Sequence, residues 1–429
     1  MDSSASQTPT VSQRDQWMVE HRVFQLYDFF GGLPRKAQSA MLELQRENHM
    51  EYLIKGLKRL EPSFSVLDAN RPWLCYWILH SIALLGECVE PELEDNAVDF
   101  LSHCQDPNGG YGGGPGQMPH LATTYAAVNA LITVGGERSL SSINREKLYM
   151  FLRRMKDPSG PFRMHDAGEI DVRACYTAIS VASVLNILDD ELVQNVGDYI
   201  VRCQTYEGGI AGEPGAEAHG GYTFCGFATM ILINEANRLD LAGLLDWVAF
   251  RQGKECGFQG RTNKLIDSCY SFWQGGVFAL LQRFYSTLDE QLALPHSGEG
   301  DCTNDSRKTG LNASCPVNLN SIGYNFIKQP AETEPLFHSL ALQQYILLCA
   351  QDIEGGMRDK PGKGRDYYHT CYSLSGLSGC QYSSAEDEDS SPLPSAVMGP
   401  YSNLLEPIHP LFNVVLEKYY EAHEFFAMS

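Results

Sequence analysis

Asp267 and Cys269 stand one residue apart in GRTNKLIDSCY, and His369 stands far downstream in RDYYHTCY. A carboxylate, a thiolate and an imidazole are all zinc ligands, and three protein ligands with a fourth position open is the catalytic rather than the structural arrangement. Read singly, Cys269 is equally a small core residue and His369 a satisfied polar group. The same stretch carries Arg261, Lys264 and Tyr270, and His219 lies upstream in EAHGGYTF. Cationic or potentially cationic groups near helix starts, where free N–H groups point outward, make an anion site, and a diphosphate fits one. Taken one at a time, such residues are also ordinary surface charges. Rings recur as Trp73, Trp77, Tyr125, Tyr176, Tyr222, Trp273 and Tyr372. A stripe of rings ordinarily packs a core; around a hollow it lines a site for a long apolar ligand. The glycine-rich GGYGGGPG at 109–116 has no following GK[ST] and reads as a turn, not a phosphate loop.

Something must bring these residues together, and the chain repeats. The segments CQDPNGGYGGGPGQMPHLATTYAAVNAL, MKDPSGPFRMHDAGEIDVRACYTAISVA, CQTYEGGIAGEPGAEAHGGYTFCGFATM, QGKECGFQGRTNKLIDSCYSFWQGG and CAQDIEGGMRDKPGKGRDYYHTCYSLSGL share one plan. Each runs from a helical lead-in through a glycine turn and a polar stretch to an aromatic followed by small residues. That aromatic marks the register at Tyr125, Tyr176, Phe224, Tyr270 and Tyr372, with separations of 51, 48, 46 and 102. The long last gap is expected to hold a loop insertion, about 286–334, beside or within a degenerate unit. A second solvated loop is expected at 383–395, around Glu386-Asp387-Glu388-Asp389, and disorder at residues 1–15. The remainder, 16–429, reads as one domain.

Between the turns the apolar residues follow a helical period, so each unit is a helical hairpin, and hairpins that cannot bury their own apolar faces must stack. Small residues after the marks (Ala126, Ala127, Ala178, Gly226, Gly376) suit crowded inner helices. They favour an all-α fold, a closed α-α barrel, over an open solenoid. In such a ring the loops before the inner helices share one end, so equivalent positions converge on one mouth. Asp267 and His369 each lie three residues before a mark, and it is this shared register that joins them into one candidate site.

Of the 429 residues 43% are hydrophobic and 20% charged, which is the composition of a folded chain. The net charge of −21 repels nucleic acid and anionic lipid, so any anionic substrate needs a local basic cluster. Thirteen scattered cysteines do not form a disulfide framework, and the N-terminus lacks an apolar signal core, so a reducing, cytoplasmic setting is expected. No apolar run of about 18 residues is present to insert stably in a membrane. Asn312-Ala313-Ser314 reads as a chance sequon.

The stretches VLDANRPWLCYWILHS, GGYGGGPGQMPHLATTYAAVNAL, RMHDAGEIDVRACYTA, EAHGGYTFCG, GRTNKLIDSCYSFWQ and DKPGKGRDYYHTCYSLSGLS together carry a specific likeness. From about Trp17 to the end, outside the two insertions, the chain resembles the β subunits of protein farnesyltransferases, in wording nearest to plant members. The resemblance implies an α-α barrel clasped by a helical-repeat α subunit that supplies a catalytic lysine. It also implies one zinc ion on Asp267, Cys269 and His369, and a diphosphate site of His219, Arg261, Lys264 and Tyr270. Arg173, Tyr176, Tyr222, Cys225 and Trp273 fall on the isoprenoid wall, and Trp73, Trp77 and Tyr368 on the pocket for an aliphatic residue of the substrate peptide. Asp359, in DKPGK, matches a carboxylate linked to magnesium. One departure is Gly160-Pro161-Phe162, where a Gly-Gly turn is usual.

The implied reaction moves farnesyl from its diphosphate to the cysteine of a C-terminal CaaX sequence. Zinc lowers the pKa of a thiol, and preorganised cations stabilise a departing diphosphate. Trp73 and Tyr372 stand at positions that resemble those of the farnesyl enzymes, where geranylgeranyl enzymes carry smaller side chains, so the resemblance implies the shorter donor over the geranylgeranyl group of type I geranylgeranyltransferase, the nearest alternative. A terpene cyclase would need an acidic motif such as D-x-D-D; Asp189-Asp190 sits in a helical connector and does not supply one. A binding module on the same barrel would have no use for the three candidate ligands.

Overall fold

The computed structural model describes residues 9–293, 318–385 and 390–428. Six inner helices form a ring: Arg71–Leu84, Leu121–Val134, Val172–Val184, Gly220–Leu232, Tyr270–Leu281 and Tyr367–Gln381. Each packs on the next, and the last packs on the first, so the barrel is closed. The inner helices are buried nearly all round, in keeping with runs such as LATTYAAVNALITV. The outer helices are amphipathic: in Val196–Cys203 the buried side chains Val196, Tyr199, Ile200 and Cys203 fall on one helical stripe.

Polar side-chain caps start four of the six inner helices at a common end. The Nδ1 atoms of His120 and His219 accept from the N–H groups of Ala122 and Gly221, and the carboxylates of Asp171 and Asp366 accept from Arg173 and His369. Before them lie the glycine turns. Gly109 has φ +94°, and a Cβ there would meet the Lys147 carbonyl oxygen at 1.9 Å, so only glycine fits. Gly160-Pro161 keeps the same turn: Gly160 has φ +118°, and Lys156 pairs with Phe162 as Gln105 does with Tyr111.

The opposite end is plugged by the C-terminal segment. The Glu406 N–H donates to the Leu84 carbonyl (2.9 Å), and the hydroxyls of Tyr76, Tyr125 and Tyr176 donate to the carbonyls of Asn413, Phe412 and Leu411 (2.6, 3.0 and 2.8 Å). Rings girdle the barrel interior in contact from helix to helix: Tyr125 with Tyr176, then Phe224, Phe272 and Tyr372.

Three expectations change. The sixth inner helix is Arg71–Leu84, whose segment lacks the glycine-turn lead-in and so escapes the repeat comparison. In the long gap, the described parts (Tyr285–Ala293, Ile322–Lys328 and Ser339–Tyr345) are helical and none joins the inner ring, so the gap holds an insertion and an outer helix, not a degenerate inner unit. Most of the described part of the expected 286–334 loop is therefore helix; 294–317, with the sequon, lies outside the described residues, as do 386–389 of the acidic loop. The expected tail 1–15 gives way to a helix from Val11, because Thr10 and Gln13 form a reciprocal capping box and Gln16 anchors the helix on Glu255 (2.7 Å). Residues 1–8 lie outside the described residues.

Candidate active site

Asp267, Cys269 and His369 meet at the mouth, each offering one ligand atom, with all three atoms within 4.8 Å of one another. They do not share a register. The N–H groups of Leu121, Val172, Gly220 and Ser268 each donate to a carbonyl of the neighbouring unit's turn, which makes Asp267 the equivalent of His120, Asp171 and His219. The threonine hydroxyls of Thr124, Thr223 and Thr370 each receive the N–H that follows the glycine turn, which makes Asp366, not His369, the equivalent residue in the last unit. His369 is thus one turn further along its helix. The register mark in the fourth repeat unit is Phe272 rather than Tyr270, since Phe272 occupies the aromatic girdle.

The donor set fits a cation. His369 Nε2 stands 3.2 Å from Asp267 Oδ1, is buried, and makes no well-formed hydrogen bond. Its other nitrogen, Nδ1, lies 2.6 Å from Asp366 Oδ2, which fixes the ring and leaves Nε2 to face the site. Burial lowers the tendency of His369 to take a proton, but the two carboxylates override it and lift its pKa to about 9. Burial, and then the Asp267 charge, push the Cys269 thiol far up. The metal-free site therefore holds a proton on sulfur and one on imidazole, where a divalent cation would displace both.

A cavity of about 600 Å³ opens beside these ligands. All ten residues expected to bind substrate line it: Trp73, Trp77, Tyr125, Arg173, Tyr176, Tyr222, Cys225, Trp273, Tyr368 and Tyr372. So do His219, Arg261 and Tyr270 of the expected diphosphate cluster. Lys264 is exposed and outside the lining. Asp359 is also outside it, with its carboxylate against Lys360 Nζ and its carbonyl accepting from Ser268 N (2.9 Å).

The cluster at the rim is less cationic than its composition suggests. Arg261 lies 3.1 Å from Glu217 and Arg173 lies 2.6 Å from Asp171, so each brings a carboxylate with it. Burial and the Arg261 charge lower the His219 pKa to about 4, so that imidazole is neutral at pH 7. Its Nδ1 accepts a backbone N–H, so the proton resides on Nε2, which faces the Tyr270 hydroxyl at 3.0 Å. Nε2–H donates to Tyr270 Oη and leaves the phenolic O–H free to donate into the cavity.

Sequence reasoning missed Asp366, Glu217 and Asp171. The signal for Asp366 was its place as helix cap three residues before His369. Asp171 carried the same kind of signal, as the cap of its helix two residues before Arg173; Glu217 had none, because its bond to Arg261 joins two loops far apart in sequence.

The model of the prenyltransferase alpha-alpha toroid domain matches residues 44–414. The protein farnesyltransferase subunit beta of Pisum sativum is 65% identical, over 98% of this chain and 97% of that protein. Its counterpart in Arabidopsis thaliana is 59% identical, over 97% and 90%. The geranylgeranyl transferase type-1 subunit beta of Arabidopsis thaliana is 26% identical, over 80% and 87%. A solved structure titled Candida albicans protein geranylgeranyltransferase-I complexed with GGPP shares the fold, with a TM-score of 0.64 and 19% identity over 89% of this chain and 99% of that one. With a closed toroid, a cluster of metal-ligand type at its mouth and near full-length identity to the pea and Arabidopsis proteins, the chain belongs to the prenyltransferase alpha-alpha toroid family, among the β subunits of protein farnesyltransferases.

Proposed function

We propose that this chain works as the catalytic β subunit of a zinc-dependent protein farnesyltransferase. Paired with an α subunit, it moves the farnesyl group of farnesyl diphosphate to the thiol of C-terminal CaaX sequences. The observation that carries the reading is the cavity: one aromatic-lined space of about 600 Å³, with Arg261, His219 and Tyr270 on its lining and the Asp267–Cys269–His369 cluster near Tyr270 and Tyr368. That size suits a ligand of 15 carbons and its peptide partner.

Zinc, held by Asp267, Cys269 and His369, supplies when bound a positive charge that favours the ionised form of an incoming thiol. The protein's own residues do the rest. Trp273, Tyr222 and Tyr176 give the isoprenoid an apolar path, so the chain is drawn out of water and its first carbon is held at the mouth. Tyr270, oriented by His219, donates its O–H to a diphosphate oxygen as charge grows there. Arg261 turns from Glu217 to the diphosphate, and exposed Lys264 reaches it from the rim. Magnesium ordinarily binds one or two carboxylates together with phosphate oxygens. The resemblance points to Asp359 for this role, and using it for magnesium means displacing Lys360. Trp73, Trp77 and Tyr368 form the part of the wall against which the peptide's aliphatic residues pack, with the Tyr368 hydroxyl accepting from Trp273 Nε1 (3.2 Å).

Among the described residues no helix is long and apolar enough to cross a membrane. The eleven described cysteines are free, which suits a reducing, cytoplasmic setting. The test is the metal content of the co-purified heterodimer: one zinc per β chain, lost in Cys269→Ala together with transfer while the helical circular dichroism is kept. Full zinc in that variant contradicts the assignment.

A further inference from the structure

We propose that the buried hydroxyl pair Ser268–Ser373 is a positioning device that holds the loop bearing Asp267 and Cys269 in register with the helix bearing His369. This rests on the zinc reading of Asp267, Cys269 and His369. Ser268 sits between two of those ligands, and Ser373 sits one turn beyond the third on the Tyr367–Gln381 helix. Both side chains are fully buried. Ser373 Oγ donates to Ser268 Oγ at 2.9 Å, and Ser268 Oγ donates to the Arg358 carbonyl at 2.8 Å. The Ser268 backbone N–H meanwhile donates to the carbonyl of Asp359. One residue thereby ties together three segments: the loop with Asp267 and Cys269, the strand Met357–Arg358 leading to Asp359, and the helix with His369.

The other inner helices lack this tie. At the positions equivalent to Ser268 stand Arg71, Leu121, Val172 and Gly220, whose backbone N–H groups make the shared bond to the neighbouring turn, and Tyr367, whose ring stacks on Tyr52 instead. Leucine, valine and glycine carry no side-chain donor there. The added hydroxyl bonds occur at the one seam across which the candidate ligands must meet. One turn below, Gly376 allows close approach: a Cβ there would lie 2.4 Å from Ser271 Cβ. The seam is therefore tight in the middle and pinned by hydroxyls at the end that faces the metal. Losing either hydroxyl lets the ligand sets slide against each other; partners that bond a metal ligand directly typically govern metal affinity by 10–100-fold, and that range bounds the effect of this tie.

The experiment uses the full chain co-purified with its α subunit, as Ser268→Ala, Ser373→Ala and the double variant. Ser378→Ala is the control: its buried hydroxyl on the same helix donates to the Glu406 carbonyl, far from the ligands. The readouts are zinc affinity by competition with a chromophoric chelator and the visible spectrum of the cobalt(II)-substituted protein. The expected result is a roughly 10–100-fold weaker zinc affinity and shifted cobalt bands in each single variant, with the double variant no weaker than the worse single. Ser378→Ala is expected to melt earlier with metal affinity unchanged. Zinc affinity within about twofold of wild type in both single variants, or an equal loss in Ser378→Ala, overturns the proposal while leaving the zinc reading intact. A wild-type protein that binds neither metal overturns both. If Ser268→Ala does not fold, Ser373→Ala tests the same bond from its other side.

Discussion

At the scale of single residues, the mouth works by orienting neutral donors as much as by gathering charge. His219 is neutral, Arg261 and Arg173 already have carboxylate partners, and the free donor is the Tyr270 O–H, aimed by the proton on His219 Nε2. Tyr270→Phe keeps the ring and removes that donor. A charge-assisted hydrogen bond made as the diphosphate leaves is worth about 1.5–3 kcal/mol, so single-turnover transfer is expected to slow by roughly 10–150-fold with donor affinity little changed. Rapid-quench kinetics checks this; an unchanged chemical step removes Tyr270 from the leaving-group site. The residue types of this site were legible because Asp-x-Cys, arginine, lysine and histidine are chemically distinctive. Their protonation states were not, since burial and partners from other units decide whether an imidazole is charged.

Among elements, the seam between the Tyr270–Leu281 and Tyr367–Gln381 helices is where fold and chemistry meet. Gly376→Ala places a methyl against Ser271, and overpacking of this kind costs about 1–3 kcal/mol. The expected result is a lower melting temperature and looser metal binding, measured by scanning calorimetry and chelator competition. The glycine turns and small inner residues made the hairpins and the closed ring readable. The register did not read correctly: Tyr270 and Phe272 are two aromatics in one short stretch, and the backbone bond of Ser268 to Asp359 together with the contacts of the Phe272 ring shows which belongs to the girdle. The first inner helix has no glycine turn before it, and the helix from Val11 owes its place to Glu255, far away in sequence. Neither tertiary fact leaves a local signal.

The molecule as a whole stores a pH response in its interior. His80 and His409 are fully buried, and burial lowers each pKa to about 3. Unfolding returns them to about 6.5, so below that pH the unfolded chain takes up protons first and stability falls. The loss is expected to approach about 1.4 kcal/mol per histidine for each pH unit below 6.5, fading near pH 3, with no contribution from these groups above about pH 7. Urea unfolding of the heterodimer at pH 7.5 and 5.5 checks the sign. The barrel also sets what the cavity admits. Trp73 packs on Tyr125 at 5.7 Å and Tyr372 on Trp273 at 4.6 Å, ring against ring, and a wall so packed is expected to resist an additional isoprene unit. Trp73→Thr, alone or with Tyr372→Leu, is expected to admit the 20-carbon donor. The most direct test of the account is single-turnover transfer by the wild-type heterodimer to one CaaX peptide from farnesyl and from geranylgeranyl diphosphate. The account expects rapid farnesyl transfer and much slower use of the longer donor; equal use of both, or transfer from neither, contradicts it.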